Sequence, residues 1–253
     1  MLQFGIYKCK IYLIRLEIEM TESINLSKQT INLSKSEVIN LSKQAEGLSD
    51  VMIALGWQEN RDKYTEVERV IEPGFIGKLF GAQPKVVKQR VYQEKKYEYD
   101  LDAWVVFMDN GKPVSGAILY YGNKDMYNKG SNFAHHCGDD LVGGGKGDNE
   151  QIILKLNDIP SKYDGALVAV TIYQAKQRGQ QFSNIKNMFV RVVDKKDNFE
   201  ICRYEDSIAQ EYKDCYTFIV GRLYKENGEW QFAADGYGTQ DGSIGDAVHN
   251  YRA

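Results

Sequence analysis

The sequence predicts a mainly β protein, a β-sandwich with few short helices. From Asp100 onward, seven or more runs rich in Val, Ile, Tyr and Phe are separated by turn residues, a spacing typical of a sandwich or barrel. Asp109-Asn110-Gly111 and Asn227-Gly228 are good hairpin turns. Helical patterning is confined to short pieces, at residues 173–178 and 244–251.

The first part of the chain, residues 1–19, is expected to be an N-terminal extension. Charged residues such as Lys10 and Arg15 break its apolar run before it reaches the length of a signal-peptide core. Because Met20 begins a natural alternative start, we interpret this stretch as untranslated; an added first strand is the alternative. Residues 20–253 are predicted to form a single β-sandwich domain.

A short motif, Ile-Asn-Leu-Ser-Lys, begins at Ile24, Ile31 and Ile39. Spacings of seven and eight residues are far too short for a solenoid repeat. The alternation of apolar and polar residues predicts short strands of the kind found at sheet edges. We expect these copies to form a hairpin-like meander ahead of the apolar run at residues 51–57.

Residues 63–96 differ from their surroundings, because they contain eight basic and only four acidic residues together with several glycines and prolines. This composition predicts a basic insertion with the character of a loop. Within it, Phe75 and Phe80 flank Lys78. A solvated flap is the simpler interpretation. Contact with a partner or an anionic surface is the alternative.

The strands that follow are predicted from their β-branched and aromatic content. Trp57, Trp104, Phe189 and Trp230 lie in apolar runs and are predicted to be core residues. The predicted strands are residues 103–108, 114–121, 152–156, 167–173, 188–193, 199–204, 216–224 and 230–232.

Composition argues against several functional classes. The chain has 253 residues, a net charge of −3 and 43% hydrophobic residues, which favours a soluble globular protein and gives no reason to expect nucleic-acid binding. No segment is long and apolar enough to span a membrane. The absence of any C-x-x-C pair argues against a zinc ribbon or a thioredoxin motif and favours a reduced, cytoplasmic setting. The scattered cysteines are Cys9, Cys137, Cys202 and Cys215.

The sequence also predicts that the protein is not an enzyme. It has three histidines and no Ser-His-Asp or Cys-His hydrolase signature. His135, His136 and Cys137 are adjacent, so their side chains diverge on an extended chain instead of converging on zinc. A metal-dependent hydrolase is therefore the weakest of the functional hypotheses.

Acidic residues carry the strongest functional signal. Asp100 and Asp102 are two apart before an apolar strand, so they project from the same face and repel unless a cation or base lies between them. Further acidic residues flank a glycine-rich stretch at residues 138–150. Such oxygen ligands on a flexible loop suit Ca²⁺, although the spacing is not that of an EF-hand. An acidic, solvated turn is the equally weighted alternative.

These residues make the chain similar to the tellurium-resistance TerD family of bacterial stress-response proteins, over about residues 24–251. Many ordered motifs carry the resemblance. They are the Asn-Leu-Ser-Lys copies, Leu55-Gly56-Trp57, Tyr99-Asp100-Leu101-Asp102-Ala103, Gly138-Asp139-Asp140, Gly147-Asp148-Asn149-Glu150-Gln151-Ile152, Val170-Thr171-Ile172-Tyr173, Arg178-Gly179-Gln180-Gln181-Phe182, Asn187-Met188-Phe189-Val190-Arg191, Gly221-Arg222-Leu223-Tyr224 and Asn227-Gly228-Glu229-Trp230-Gln231-Phe232.

The resemblance implies a β-sandwich that binds Ca²⁺ through acidic loops. It implies a role in resistance to tellurite and other chemical stress, together with other stress-response or tellurium-resistance proteins in a membrane-associated complex. The protein would then be cytoplasmic, or peripheral at the inner face of the membrane. The family's ligand motifs fall on Asp100, Asp102, Asp139, Asp140, Asp148, Asn149 and Glu150.

The chain departs from the family pattern at four positions in or near these loops. Gly144, Lys146, Asn149 and Gln174 stand where the family commonly has acidic residues. Each lost carboxylate lowers divalent affinity, because ligand charge helps to set it. We therefore expect one cation site, around Asp100 and Asp102, and not two.

Two functional hypotheses follow. The preferred one is a non-enzymatic Ca²⁺-binding stress-response protein that acts by assembling with partners. The second is a metal-independent scaffold whose acidic loops bind a basic partner, in which case binding would depend on salt but not on a chelator.

Overall fold

The computed structural model describes residues 28–59, 64–92, 98–144, 147–206 and 212–252. The expectations for residues 1–19, for positions 24–27 of the first repeat copy and for Lys146 lie outside these ranges. Within them the chain is mainly β, with few short helices, as predicted. Most strands belong to two sheets that pack face to face.

The first sheet has seven strands, and its neighbouring strands are antiparallel except at one edge. At that edge the strand of residues 31–33 runs parallel to the strand of residues 199–206. In spatial order the strands are β1 (Ile31–Leu33), β13 (Phe199–Asp206), β12 (Ile185–Asp194), β3 (Asp50–Glu59), β10 (Glu150–Lys155), β9 (Ser131–His136) and β8 (Asp125–Asn128).

The second sheet has six strands, all in antiparallel pairs. In spatial order they are β2 (Val38–Asn40), β15 (Glu229–Thr239), β14 (Thr217–Glu226), β11 (Gly165–Ile172), β6 (Leu101–Asp109) and β7 (Lys112–Leu119). The short helices are α1 (Leu41–Gln44), α2 (Phe75–Leu79), α3 (Ala175–Arg178) and α4 (Ile244–Asn250), and a 3₁₀ turn spans Phe182–Asn184. None of these helices is long and apolar enough to cross a membrane.

The strands β6 and β11 of the second sheet are buried on both faces. Alternate residues of β6, such as Val105 and Phe107, pack between the sheets, while Trp104 and Val106 pack beneath α4 with Val248. This explains why β6 is a continuous apolar run instead of an alternating one. Trp104 is fully buried, as predicted, but it lies on the face that α4 covers and not in the space between the two sheets.

Three of the four predicted core aromatic residues are buried, namely Trp57, Trp104 and Trp230. The prediction for Phe189 is wrong, because this residue is only partly buried. Its ring lies over Gly56, where an added Cβ would come within 2.3 Å of the ring, and the Arg203 guanidinium is 4.1 Å from the ring centroid. The ring is therefore held between a glycine and an arginine at the surface of the first sheet.

The second and third repeat copies, which the structure describes, lie at sheet edges and do not pair with each other in the expected meander. β1 lies at an edge of the first sheet and β2 at an edge of the second. The third copy also changes structure within its five residues, because the Asn40 side chain accepts a hydrogen bond from the Lys43 N–H and begins α1. The alternation of apolar and polar residues predicts a strand through the whole copy, but the cap at Asn40 ends the strand there and starts a helix.

The predicted basic loop is instead a β-hairpin, formed by β4 (Tyr64–Ile71) and β5 (Lys85–Tyr92), with α2 at its tip. Val70 lies opposite Val86, and Glu68 lies opposite Lys88. Such cross-strand apolar and charged pairs stabilise a two-stranded ribbon, which the basic composition concealed.

The two predicted hairpin turns are confirmed. Asn110 and Gly111 have φ values of 51° and 69°, and Asn227 and Gly228 have 50° and 84°. Two consecutive positive φ values match the twist of the strands that each turn joins. Lys129 and Gly130, at 50° and 86°, make a comparable turn between β8 and β9, a hairpin that was not predicted from the sequence.

Candidate metal site

Three of the predicted ligands come together where β6 begins. Carboxylate oxygens of Asp100, Asp102 and Asp139 lie within 4.8 Å of one another. Asp100 and Asp102 are buried, at 5% and 4% exposure, whereas Asp139 is exposed. Asp102 belongs to the second sheet, and Asp139 reaches it from the connection between β9 and β10 in the first sheet.

The start of β6 is held in place by backbone contacts. The Tyr173 N–H donates a hydrogen bond to the Asp100 carbonyl at 2.9 Å, just after β11 ends. The Trp57 indole N–H donates to the Tyr99 carbonyl at 3.1 Å. Asp100 is therefore positioned by both sheets.

The electrostatics of this group favour a bound cation. Burial, followed by the charges of Asp100, Glu150 and Asp139, raises the pKa of Asp102 to about 9. Burial and the charge of Asp139 raise the pKa of Asp100 to about 6. Within the described residues, the buried Oδ1 of Asp100 has no hydrogen-bond partner. A hard cation would satisfy this oxygen and relieve the repulsion between the carboxylates.

Arg178, at the end of α3, supplies positive charge beside the group. Its Nη1 is 3.7 Å from Oδ2 of Asp100, and its guanidinium lies 4.9 Å from the Tyr173 ring centroid. The Gln180 side chain donates a hydrogen bond to the Glu98 carbonyl at 2.9 Å. The segment that contains Arg178 and Gln180 therefore contacts the chain at Glu98 and Asp100, next to the acidic residues.

Asp140 and Asn149 organise the glycine-rich loop. One Asp140 oxygen accepts hydrogen bonds from the Val142 and Gly143 N–H groups, each at 3.1 Å. Its other oxygen accepts from the Asn149 amide at 2.9 Å. Asn149 also donates to the Gly144 carbonyl at 3.1 Å and accepts from the Trp57 N–H at 3.1 Å. Both side chains lie outside the three-carboxylate group.

Asp148 is engaged elsewhere, in an ion pair with β12. Both of its carboxylate oxygens accept hydrogen bonds from Arg191 at 2.8 Å, and Arg191 also donates to Glu200 at 2.8 Å. These contacts raise the pKa of Arg191 further above its usual range, chiefly through the Asp148 hydrogen bonds. Asp148 therefore joins the segment just before β10 to β12, on the other side of β3 in the same sheet.

Glu150 connects the two sheets beside the candidate site. One of its oxygens accepts a hydrogen bond from the Ala103 N–H at 2.6 Å, and it lies 3.7 Å from Nε2 of His136. Burial raises the pKa of Glu150, despite the opposing effects of the nearby His136 ring and of the hydrogen bond from Ala103. Its negative charge is one of the causes of the raised pKa of Asp102.

Several neighbours of the site were not predicted. His136 is buried beside Glu150, whereas the adjacent His135 ring lies 2.7 Å from Asp125, so their side chains diverge as expected. Burial and the charge of Asp102 raise the pKa of Tyr121, whose ring centroid lies 6.1 Å from that of Tyr173. A Tyr-Tyr pair at the end of a predicted strand carries no motif, so only the fold reveals this neighbour.

Comparison with known proteins places this arrangement in a family. The profile of the TerD domain matches residues 29–251. Stress response protein SCP2 of Bacillus subtilis is 32% identical over 222 residues, which cover 87% of this chain and 98% of that protein. Tellurium resistance protein TerX of Serratia marcescens is 30% identical over 245 residues, covering 90% and 99%.

Solved structures show the same fold. The crystal structure of a homologue of telluride resistance protein (TerD), SCO6318 from Streptomyces coelicolor A3(2), aligns with a TM-score of 0.50 at 16% identity, covering 77% of this chain and 92% of that one. A protein of unknown function, SAV2460, aligns with a TM-score of 0.55 at 20% identity, covering 82% and 100%. Since the family profile spans both sheets and the three-carboxylate group, the chain belongs to the TerD domain family.

Proposed function

We propose that this protein is a non-enzymatic, Ca²⁺-binding stress-response protein. It acts in the cytoplasm against tellurite and other chemical stress, by assembling with other stress-response or tellurium-resistance proteins. The names of its relatives, which include a stress response protein and tellurium resistance proteins, support the stress role. The unpaired cysteines among the described residues are consistent with a reduced compartment.

The observation that carries the Ca²⁺ proposal is the group formed by Asp100, Asp102 and Asp139. Two of its carboxylates are buried, and Oδ1 of Asp100 is without a partner among the described residues. Ca²⁺ accepts six to eight oxygen ligands in loose geometry, so carboxylates on a strand and on a loop suit it. These three residues would hold the ion, while Asp140, Asn149 and Glu150 would fix the loop and strand that carry them.

Assembly with partners is proposed to depend on the loop that carries Asp139. A cation held between Asp139 and β6 would join this loop to the second sheet. The loop also exposes Leu141 and Val142, at 59% and 57%. The cation would thereby change the surface that a partner meets, in the manner of an order–disorder switch.

Calorimetric titration of the purified protein with Ca²⁺ tests the proposal. We expect saturable heat and a Tm increase of about 5–10 °C at a Ca²⁺ concentration 100 times Kd, because ligand binding at that excess stabilises by about 2.7 kcal/mol. Asp102→Asn should abolish or severely weaken binding, since it removes an anionic ligand at the buried end of the group. The control Asp246→Asn, on the exposed face of α4, should bind like the wild type. Absence of both heat and stabilisation would refute the Ca²⁺ proposal.

A second candidate function is a metal-independent scaffold that binds a basic partner. The Arg178 guanidinium beside Asp100 favours it, because this contact shows that the carboxylates accommodate a cationic side chain. The two candidates differ in their response to a chelator. Complexes captured with the wild-type protein should dissociate in EDTA if Ca²⁺ is required, and should dissociate only at high salt if the scaffold function holds.

A further inference from the structure

The tip of the β4–β5 hairpin exposes large apolar side chains. We define the apolar tip as Phe75, Ile76, Leu79 and Phe80, which are 82%, 71%, 70% and 86% exposed. A contiguous set of such side chains is unusual on a soluble protein surface and marks a site of interaction.

Local hydrogen bonds fix the shape of the apolar tip. The Gly81 N–H donates to the Lys78 carbonyl at 3.1 Å, and the Ala82 N–H donates to the Gly77 carbonyl at 2.9 Å. Gly81 has a φ of +73°. These are the features of a Schellman motif, which ends a helix without help from the rest of the fold. The local backbone structure of the hairpin therefore keeps Phe75 and Phe80 exposed.

The apolar side chains share one side of α2. At about 100° per residue, Phe75, Ile76, Leu79 and Phe80 fall within a sector of about 140°. Lys78 lies outside this sector. The short helix is thus amphipathic, and its apolar side is exposed.

Basic residues lie close to the apolar tip along the chain. Lys78, Lys85 and Lys88 lie between Pro73 and Gln89, a segment that contains no carboxylate side chain. The Lys78 ammonium is 3.3 Å from Glu72, but both side chains are about 60% exposed, so this ion pair is weak and readily exchanged. Counted over both strands, residues 68–89 hold four basic and two acidic side chains, so the tip combines apolar side chains with a net charge of +2.

We propose that the apolar tip docks the protein onto the surface of an anionic lipid bilayer. Its aromatic and aliphatic side chains would enter the boundary between headgroups and acyl chains, while the lysines contact lipid phosphates. The tip projects on a two-stranded sheet of its own, outside both sheets of the sandwich. An exposed apolar tip suits insertion into a fluid bilayer, and the net positive charge of the hairpin complements anionic headgroups.

Vesicle flotation with the full chain tests this proposal. The vesicles contain phosphatidylcholine alone or with about 30% phosphatidylglycerol, and EDTA is present throughout, so that the result is independent of the proposed Ca²⁺ site. We expect binding to the anionic vesicles, weakening as salt increases, and little binding to the neutral ones. Failure of the wild-type protein to bind anionic vesicles, or equal binding to both kinds, would overturn the proposal.

Paired variants locate the binding surface. Phe75→Ser with Phe80→Ser should lower the partition coefficient at least about tenfold. Lys78→Gln with Lys85→Gln and Lys88→Gln should lower it about 100-fold. Tyr127→Ser, which removes an aromatic residue of 64% exposure from β8, is the matched control and should bind like the wild type. Unchanged binding by the phenylalanine variant would overturn the assignment to the apolar tip.

A fluorescent reporter separates docking from self-association. Trp57, Trp104 and Trp230 are buried, so Phe80→Trp adds one exposed indole. We expect its emission to shift to the blue, and to be quenched by brominated lipid, when anionic vesicles are added. If sedimentation instead shows oligomers that the phenylalanine variant loses, and no vesicle binding, the tip contacts a second copy of the chain and the bilayer proposal is wrong.

Discussion

Burial of Asp102 conflicts with its charge unless a cation is present. The carboxyl lies at 4% exposure and has three other acidic groups as electrostatic neighbours, which together with burial bring its pKa to about 9. At neutral pH the cation-free site therefore holds a proton on Asp102. Ca²⁺ must displace this proton, so its binding is coupled to pH.

The stability of the cation-free protein should consequently fall as pH rises. Asp100 and Asp102 have folded pKa values of about 6 and about 9, both above the ordinary value of 3.8, so between these limits the folded state binds more protons than the unfolded state. The protons bound to these two carboxyl groups stabilise the folded state. This stabilisation is fully present below about pH 4 and is lost as pH rises through 6 and then 9.

Thermal unfolding in EDTA, compared with excess Ca²⁺, measures this coupling. The Tm difference between the two conditions should increase from pH 5 to pH 9, because less proton has to be displaced at high pH. Asp102→Asn, which mimics the protonated carboxyl, should flatten the EDTA profile above pH 7. A wild-type difference that shrinks with increasing pH would contradict the assignment of these pKa values to the cation site.

At Asn149, replacing the amide by a carboxylate is expected to lower stability, although it adds a negative charge near the cation site. Its amide donates hydrogen bonds to Asp140 and Gly144, which an aspartate at this position would be unable to donate. Asn149→Asp should therefore destabilise the cation-free protein by about 1–3 kcal/mol, even though it restores a carboxylate common in the family. Chemical denaturation in EDTA measures the loss. Equal stability of the variant and the wild type would show that the amide does not hold the loop.

The residues of the site were only partly predictable from sequence. Spacing correctly places Asp100 and Asp102 on one face, because side chains two apart on an extended chain share a side. Spacing cannot show that Asp148 pairs with Arg191, since 43 residues separate the two. The Glu150 contact with Ala103 likewise depends on how the two sheets are packed.

At the scale of elements, the connection from β9 to β10 depends on two glycines that differ in their surroundings. Gly143 has a φ of +61°, and an added Cβ would lie 2.1 Å from the Trp57 indole nitrogen. Gly144 has a φ of +92° and nothing within 4 Å of an added Cβ. Since Trp57 also holds Tyr99 beside Asp100, a clash at Gly143 would reach the candidate site.

Alanine at each glycine separates the strain of a positive φ from the clash with Trp57. Gly144→Ala should lower the free energy of unfolding by about 1–2 kcal/mol, because it introduces a side chain at a positive φ without a clash. Gly143→Ala should cost about 1–3 kcal/mol more, because the added methyl group has to displace the indole, and only this variant should alter the near-UV circular dichroism of Trp57. Equal losses in the two variants would mean that Trp57 is free to move.

Strong turn and alternation signals explain which elements were predictable. The Asn-Gly turns dictate positive φ values locally, so the hairpins that they close were recognised. β8 and β9 were missed because polar residues surround Lys129-Gly130. The predicted meander of repeat copies was wrong, because β1 pairs with β13 and β2 pairs with β15 instead of with each other. Tertiary contacts, and not the repeated motif, decide which strands pair.

At the scale of the whole molecule, burial is distributed unevenly. β6 and β11 are central in the second sheet and are buried on both faces, by the first sheet and by α4. The β4–β5 hairpin has two strands only and exposes much of its apolar surface. An isolated two-stranded hairpin is marginally stable in water. Local stability should therefore differ greatly between these parts of the chain.

Hydrogen exchange followed by mass spectrometry or NMR tests this distribution. Amides of β6 and β11 should exchange only through global unfolding, because both faces of these strands are covered, whereas those of β4 and β5 should exchange by local opening, orders of magnitude faster. Ca²⁺ should slow exchange at residues 138–144, which carry Asp139, and leave the hairpin unchanged. Anionic vesicles should do the reverse, protecting the hairpin alone. Protection of β4 and β5 equal to that of β6 in the free protein would show that the hairpin is packed against another surface, and the apolar tip would then be unavailable to a bilayer.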